Sequence, residues 1–203
     1  MATLISAKEL WSETEPEQPC LIMGNSPSLN LFDDDVYDRF YTIGCNSRIF
    51  GRYHPDLTLM VDDNIPTPPA DADIVTHRQK WMAHPGIVYT YKLGKRLQFH
   101  PDLSVASIDY SITSPYMAIC LAYLMGWRTF TLVGVDLDVV NGKDYHDSKE
   151  AGLSDQRRRF FQGCYNHLSY LIKKMAKYHH CRFFSISPHT QLFQNGYVQR
   201  ATV

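Results

Sequence analysis

Short apolar runs recur along the chain, and turn residues separate them. Runs of this kind are typical of buried strands. Between them, residues 114–126 are apolar nearly all round, and residues 155–178 have an amphipathic helical pattern. Because strands that alternate with helices form parallel sheets, we expect an α/β protein with a mostly parallel central sheet and helices on both faces. The predicted strands are residues 20–23, 40–43, 57–61, 74–75, 87–91, 129–133 and 181–186.

Composition bounds the kind of protein. The chain has 203 residues, 44% of them apolar and 20% charged, which suits a single globular domain. Residues 1–19 are polar and are predicted to be a leader to the domain at residues 20–203. No apolar run is long enough for a membrane segment and no signal peptide is evident, so we expect a cytoplasmic protein. The five cysteines form no C-x-x-C pair and are expected to be reduced core residues.

The loop after the strand at residues 20–23 is a candidate phosphate site. Its sequence is Gly-Asn-Ser-Pro-Ser-Leu, at residues 24–29. Glycine allows a ligand to approach the backbone closely, and Ser28 with free backbone N–H groups can open a helix that faces an anion. The loop lacks the later glycines of a dinucleotide fingerprint and the lysine of a P-loop, so a plain strand-to-helix turn stays an alternative.

Four further segments accompany this loop. They are Gly-Cys-Asn at 44–46, Ile-Thr-Ser at 112–114, Gly-Val-Asp at 134–136 and Ser-Pro at 187–188. In order, the set resembles the sialyltransferase-like glycosyltransferases (family 42-like) and their motility-associated and pterin diphosphokinase-like relatives. The resemblance implies a Rossmann-like fold, a GT-A variant. It also implies a glycosyltransferase that moves a sugar from a nucleotide-sugar donor to an acceptor hydroxyl.

The resemblance also implies a donor site at the carboxyl ends of the strands, where parallel sheets bind ligands. Small polar side chains would hold the phosphate, ribose and base. Ordinary structural roles remain open, with Asn25 and Asn46 as turn residues and Ser114 as a helix N-cap. The expected donor-binding residues are Gly24, Asn25, Ser26, Ser28, Asn46, Asp62, Thr113, Ser114, Gly134, Val135 and Tyr145.

Two positions depart from the family pattern. Ser26 replaces the middle glycine of the first loop, which would narrow the phosphate pocket. Ser111 stands where the sialyltransferases have an arginine before Ile-Thr-Ser. With less positive charge nearby, a neutral sugar donor is favoured over a carboxylate-bearing sugar such as sialic acid.

Transfer requires a base that takes the proton from the acceptor hydroxyl, and imidazole suits this task near neutral pH. His146 lies in a polar loop beyond the Gly-Val-Asp segment and is predicted to be this base, with a solvated loop histidine as the alternative. A nearby aspartate, Asp136, is the second catalytic candidate.

Asp136 and Asp138 have the D-x-D spacing with which many nucleotide-sugar enzymes hold a divalent metal. The sialyltransferases need no metal, whereas the pterin diphosphokinase-like relatives use magnesium. These two residues therefore discriminate between a glycosyltransferase and a magnesium-dependent diphosphokinase that transfers from ATP to a pterin. A non-catalytic nucleotide-binding module is a third alternative.

The acceptor is the least defined partner. Three arginines at residues 157–159 form either a surface face or a grip on the phosphates of a polyanionic acceptor. A soluble acceptor is favoured, either a glycan or DNA with a hydroxylated base, as in phage DNA modification by glucosylation or arabinosylation. Residues 62–110 would form an acceptor lid or complete the sheet. An oligomer is compatible with the sequence.

Overall fold

The computed structural model describes residues 3–12, 16–94, 107–108, 111–138 and 154–201. They form an α/β fold around one parallel sheet, which confirms the predicted fold class. The helices are α1 (Ser114–Leu124) and α2 (Asp155–His179). The strands are β1 (Thr3–Ser6), β2 (Cys20–Met23), β3 (Tyr41–Cys45), β4 (Leu57–Met60), β5 (Ile74–Thr76), β6 (Ile87–Thr90), β7 (Lys92–Leu93), β8 (Ser107–Ile108), β9 (Thr129–Val133), β10 (Arg182–Ser185) and β11 (Val198–Arg200).

The strand order shows where the chain changes direction across the sheet. The nine-stranded sheet has the order β1-β6-β5-β4-β3-β2-β9-β10-β11, while β7 and β8 pair separately. From β2 the chain adds strands in one direction as far as β6, and then crosses to the other side of β2 with β9. The topological switch point therefore lies between β2 and β9, at the place where open parallel sheets bind ligands.

Helices cover both faces of the sheet, as predicted. Leu21 and Met23 point to one face and Cys20 and Ile22 to the other, because side chains alternate along a strand. The α-helices α1 and α2 pack against the Ile22 face. Short 3₁₀ helices lie against the Leu21 face and around Met60 of β4. The 3₁₀ helices are Ala7–Leu10, Pro27–Leu31, Asp34–Arg39, Ser47–Gly51, Gln79–Ala83 and Gln191–Asn195.

One segment of the sheet was not predicted, and an alternative that the sequence left open is answered. Within the predicted leader, Thr3–Ser6 form the edge strand β1 beside β6. The described part of residues 62–110 contributes β5 and β6 to the main sheet, so this stretch does complete it. An additional role of residues 62–110 as an acceptor lid stays a prediction.

The backbones of β2 and β9 touch at the switch point. Gly24 N donates to the carbonyl oxygen of Val133 at 2.8 Å, and Ser26 N donates to that of Gly134 at 2.9 Å. A Cβ atom on Gly24 would overlap the carbonyl oxygen of Gly134. Gly134 has φ +64°, and a Cβ atom there would lie 2.5 Å from the carbonyl oxygen of Gly24. Both positions therefore require glycine.

We predict that Gly134→Ala lowers the free energy of unfolding by about 2 kcal/mol or more, because it combines a left-handed backbone with a steric clash. Gly51→Ala is the matched control, since a Cβ atom at Gly51 has no atom within 4 Å, and it should change stability by less than about 0.5 kcal/mol. Urea unfolding of both variants measures the difference. Equal stabilities would contradict the requirement for glycine at the switch point.

Candidate functional site

A cavity of about 130 Å³ opens at the carboxyl ends of β2, β3, β4 and β9, beside the first turns of α1 and α2. We call it the donor cavity. Its wall brings together residues from distant parts of the sequence. Those predicted to bind the donor are Gly24, Asn25, Ser26, Asn46, Asp62, Thr113, Ser114, Gly134 and Val135. The others are Cys45, Ile112, Pro115, Leu137, Phe160, Phe161 and Cys164.

Asn46 is the centre of the polar half of this wall. Its Nδ2 donates to Asp62 Oδ2 at 2.8 Å and to Ser114 Oγ at 3.0 Å. Its Oδ1 accepts from the backbone N–H of Val61 at 3.0 Å. One buried amide thus connects the ends of β3 and β4 with the start of α1. It fixes the positions of the Asp62 carboxylate and the Ser114 hydroxyl.

The backbone of Asn46 is strained. Its φ of 64° and ψ of 168° lie in a region that is occupied almost only by glycine. Asn46 is therefore a turn residue and also a hydrogen-bonding residue of the cavity wall. The hydrogen bonds of its side chain help to hold the strained backbone conformation. Strain of this kind costs about 1–3 kcal/mol and clusters at functional sites.

The N-terminus of α1 faces the cavity. Thr113 is its N-cap residue, and Pro115 occupies the first turn. Ser114 Oγ accepts a hydrogen bond from Asn46, so the hydroxyl proton of Ser114 is available for another acceptor. On the opposite side, Asn25 Nδ2 donates to the carbonyl oxygen of Cys45. The positive end of the helix dipole and the Ser114 hydroxyl favour an anionic group at this end of the cavity.

Ser28 and Asp136 lie behind the wall of the donor cavity. Ser28 is 1% exposed, and its backbone N–H donates to Asp136 Oδ2 at 2.9 Å. The Ser28 hydroxyl pairs with that of Ser187. The expected free N–H group at Ser28 is therefore occupied by a carboxylate. In this arrangement the two residues support the first loop from beneath, and a direct role of either in binding or catalysis stays a prediction.

The two aspartates of the D-x-D segment point to different partners. Asp136 is fully buried, and its Oδ1 has no partner among the described residues. Asp138 Oδ2 accepts from Gln191 Nε2 at 3.1 Å. In the part of the chain that the structure describes, no three histidine, cysteine or acidic side chains are grouped to hold a metal ion. The metal site at Asp136 and Asp138 stays a prediction.

The other half of the cavity is apolar and was missed by the sequence analysis. Phe160 and Phe161 contribute to it from the first turns of α2, with Leu137 and Cys164. Phe160 remains 44% exposed although it is a large aromatic residue. The available signal was that Phe160 lies outside the apolar stripe of α2, which Phe161 and Cys164 begin. Exposed apolar side chains that cluster beside a cavity, as Phe160 and Phe161 do, can form a contact surface for a ligand.

The cysteines of the wall are poor nucleophiles. Burial raises the pKa of Cys164 to about 11, although the charge of Arg157 acts against this shift. Burial likewise raises the pKa of Cys45. Both thiols stay protonated near neutral pH, so the cavity contains no thiolate for covalent catalysis. The predicted residues His146 and Tyr145 lie outside the described residues.

Comparison with known proteins shows the fold. No protein-family model matches the chain, and no curated protein matches its sequence. A MAf glycosyltransferase from Magnetospirillum magneticum AMB-1 superposes with a TM-score of 0.67 and 15% identity, over 95% of this chain and 34% of that one. The sialyltransferase CstII from Campylobacter jejuni, solved with the substrate analogue CMP-3FNeuAc, gives a TM-score of 0.54 and 11% identity over 91% of this chain and 86% of that one. CstII solved with cytidine-5'-monophosphate gives 0.56 and 14% identity, over 92% and 86%.

The chain has a sialyltransferase-like glycosyltransferase fold. It spans about a third of the length of the MAf glycosyltransferase and most of the length of CstII. The resemblance inferred from the sequence is thus confirmed for the fold. Within the described residues, neither helix combines the length and the apolar character that crossing a membrane requires.

We predict that Asn46→Gly is more stable than Asn46→Ala by about 1–2 kcal/mol, because both lose the same side-chain bonds but only glycine relieves the backbone strain. Urea unfolding of the two variants beside the wild type provides the measurement. An alanine variant as stable as the glycine variant would show that Asn46 is unstrained.

Proposed function

We propose that the chain is a nucleotide-sugar-dependent glycosyltransferase. The observation that carries this proposal is the division of the donor cavity. One half is polar and lies between the first loop and the N-terminus of α1, and the other half is apolar and ends at Phe160 and Phe161. A nucleotide has the same division, with charged phosphates and an aromatic base. CstII, which shares the fold, was solved with CMP and with CMP-3FNeuAc, and this supports the proposal.

The division of the cavity orients the nucleotide. The base stacks against Phe160, where an aromatic face of the protein is accessible. The phosphate lies at the opposite end, where Ser114 and the amino end of α1 donate hydrogen bonds to it. As the bond between sugar and phosphate breaks, negative charge grows on the leaving phosphate. Donors that are already in position stabilise that charge, which lowers the barrier to transfer.

The chemistry requires a base for the acceptor hydroxyl, and His146 remains the sequence-based candidate for it. Asn25 and Asn46 would act on the donor mainly indirectly, by holding other residues of the cavity wall in position. Asn46 orients Asp62 and Ser114, while Asn25 connects the first loop to the end of β3. Asp62, with its carboxylate fixed by Asn46, is suited to accept hydrogen bonds from ribose or sugar hydroxyls.

The arginines at the start of α2 favour an acceptor with phosphate groups. Arg158 and Arg159 are exposed, and Arg157 lies over the ring of Phe161, so the cluster borders the apolar end of the cavity. DNA that carries a hydroxylated base fits this charge, and a glycan is the alternative acceptor. The five cysteines are buried, and we propose the cytoplasm as the place where the enzyme acts.

We predict that the wild type binds at least one donor from a panel of CMP- and UDP-sugars in isothermal titration calorimetry. Phe160→Ala should weaken that binding about tenfold, because stacking on an aromatic side chain contributes about 1–3 kcal/mol per base. Tyr170→Ala is the matched control, since Tyr170 is on the same helix and is 45% exposed, close to the 44% of Phe160. It should leave the affinity unchanged.

The same titrations test the alternatives. Absence of binding for every nucleotide sugar would contradict the proposed function. Consumption of ATP that stops in EDTA would favour the magnesium-dependent diphosphokinase. Mass spectrometry of DNA and glycans after incubation with the bound donor identifies the acceptor, because transfer adds the mass of the sugar.

A further inference from the structure

A second, smaller cavity adjoins the donor cavity. It has a volume of about 90 Å³ and lies at the carboxyl ends of β4 and β5, on the side away from β9. We call it the β5 cavity. Asp62, Ile112 and Ser114 belong to the walls of both cavities, so a ligand beside Ser114 has the β5 cavity as its neighbour. The other wall residues of the β5 cavity are Val61, His77, Arg78, Ser111 and Met117.

Arg78 provides a guanidinium group that a ligand can reach. Its side chain is 39% exposed, and its Nη1 is 3.7 Å from Asp63 Oδ2. Its Nε donates to the carbonyl oxygen of Val61 at 2.8 Å, and its backbone N–H donates to Thr76 Oγ1 at 2.9 Å. Because Val61 is itself a wall residue, this bond places the guanidinium at the wall of the β5 cavity. The group is thus a fixed and accessible hydrogen-bond donor.

Asp62 provides a fixed acceptor in the same wall. Trp81 Nε1 donates to the carbonyl oxygen of Asp62 at 2.9 Å, and Lys80 Nζ donates to that of Asp63. The Asp62 carboxylate in turn accepts from Asn46 Nδ2 at 2.8 Å. Asp62 is therefore held through both its backbone and its side chain, although it is an exposed residue. An acceptor that is already fixed loses little conformational entropy when a ligand binds.

The charges around the β5 cavity disfavour an anionic ligand. Within the described residues, its wall has one cationic and one anionic side chain, Arg78 and Asp62, and Ser111 adds no charge. The carboxylate of Asp63 offsets the charge of Arg78 from nearby. Burial lowers the pKa of His77, and the charge of Arg78 lowers it further, so this imidazole is neutral at physiological pH. A fixed donor beside a fixed acceptor suits hydroxyl groups, which both donate and accept.

We propose that the β5 cavity holds the sugar of the donor, and that Arg78 and Asp62 select a neutral sugar with free hydroxyl groups. This inference rests on the proposed function, in which the phosphate lies at Ser114 and the base at Phe160. The sugar is bonded to the phosphate and lies beyond it as seen from the base. The β5 cavity adjoins Ser114 on that side. Hydroxyl groups of the sugar donate to Asp62 and accept from Arg78, whereas a sugar carboxylate meets the like charge of Asp62.

A matched pair of nucleotide sugars tests this selection. UDP-glucose and UDP-glucuronate share the nucleotide and differ only in the carboxylate of the sugar. Isothermal titration calorimetry compares both with UDP alone in the wild type, Arg78→Gln and Asp62→Asn. Arg52→Gln is the matched control, because the side chain of Arg52 is 29% exposed, pairs with Asp34 at 3.3 Å and belongs to neither cavity wall.

Each variant has its own expected result. The wild type should bind UDP-glucose about tenfold or more tightly than UDP-glucuronate. Arg78→Gln should weaken UDP-glucose about tenfold and change the affinity for UDP by less than about twofold, because Arg78 contacts only the sugar. Asp62→Asn should lower the preference for UDP-glucose to about twofold, since it removes the like charge and keeps an oxygen that accepts from Asn46. Arg52→Gln should match the wild type in all three titrations.

The outcomes separate the sugar site from the proposed function. Equal losses for UDP and UDP-glucose in a folded Arg78→Gln would overturn the proposal, and Arg78→Lys takes its place if urea unfolding shows that it does not fold. A wild type that prefers UDP-glucuronate, or that binds CMP-N-acetylneuraminate in place of the UDP-sugars, would also overturn it, since both sugars have a carboxylate. A wild type that binds no nucleotide sugar would instead refute the proposed function and the inference with it.

Discussion

The contact between the backbones of Gly24 and Gly134 is the constraint on which the site depends. Neither position has room for a Cβ atom, and Gly134 also needs a left-handed φ. This contact brings the ends of β2 and β9 together at the switch point of the sheet. The first loop then runs over β9, where Asp136 holds Ser28 from beneath. The wall of the donor cavity is built on this contact.

Much of the fold could be predicted because its signals are local. The apolar run at residues 20–23 and the amphipathic pattern at 155–178 correspond to β2 and α2, with ends that differ by a residue at most. The edge strand β1 was missed because its residues are largely exposed and carry no apolar run. An edge strand forms because it pairs with a neighbouring strand, here β6. Its own sequence does not show this pairing.

The site was predictable where a residue follows a strand and not where its role depends on tertiary neighbours. Asn46 was expected either to bind the donor or to form a turn. In the structure the turn conformation and the side-chain role occur together. Its strained backbone places the amide between Asp62 and Ser114. Phe160 was missed for a different reason. In the sequence it has the pattern of a single exposed residue on α2, and its place in the wall appears only when α2 packs beside the ends of β2 and β9.

The carboxyl edge of the sheet changes character from β9 to β5. Beyond β9, Phe160 and Phe161 provide an apolar wall, between β2 and β4 the wall consists of small polar groups, and after β5 it carries an imidazole and a guanidinium. The first two of these properties are those of a nucleotide, which has an aromatic base at one end and charged phosphates at the other, as the proposed function requires. Because parallel strands end at one edge, successive residues after each strand are enough to produce this order.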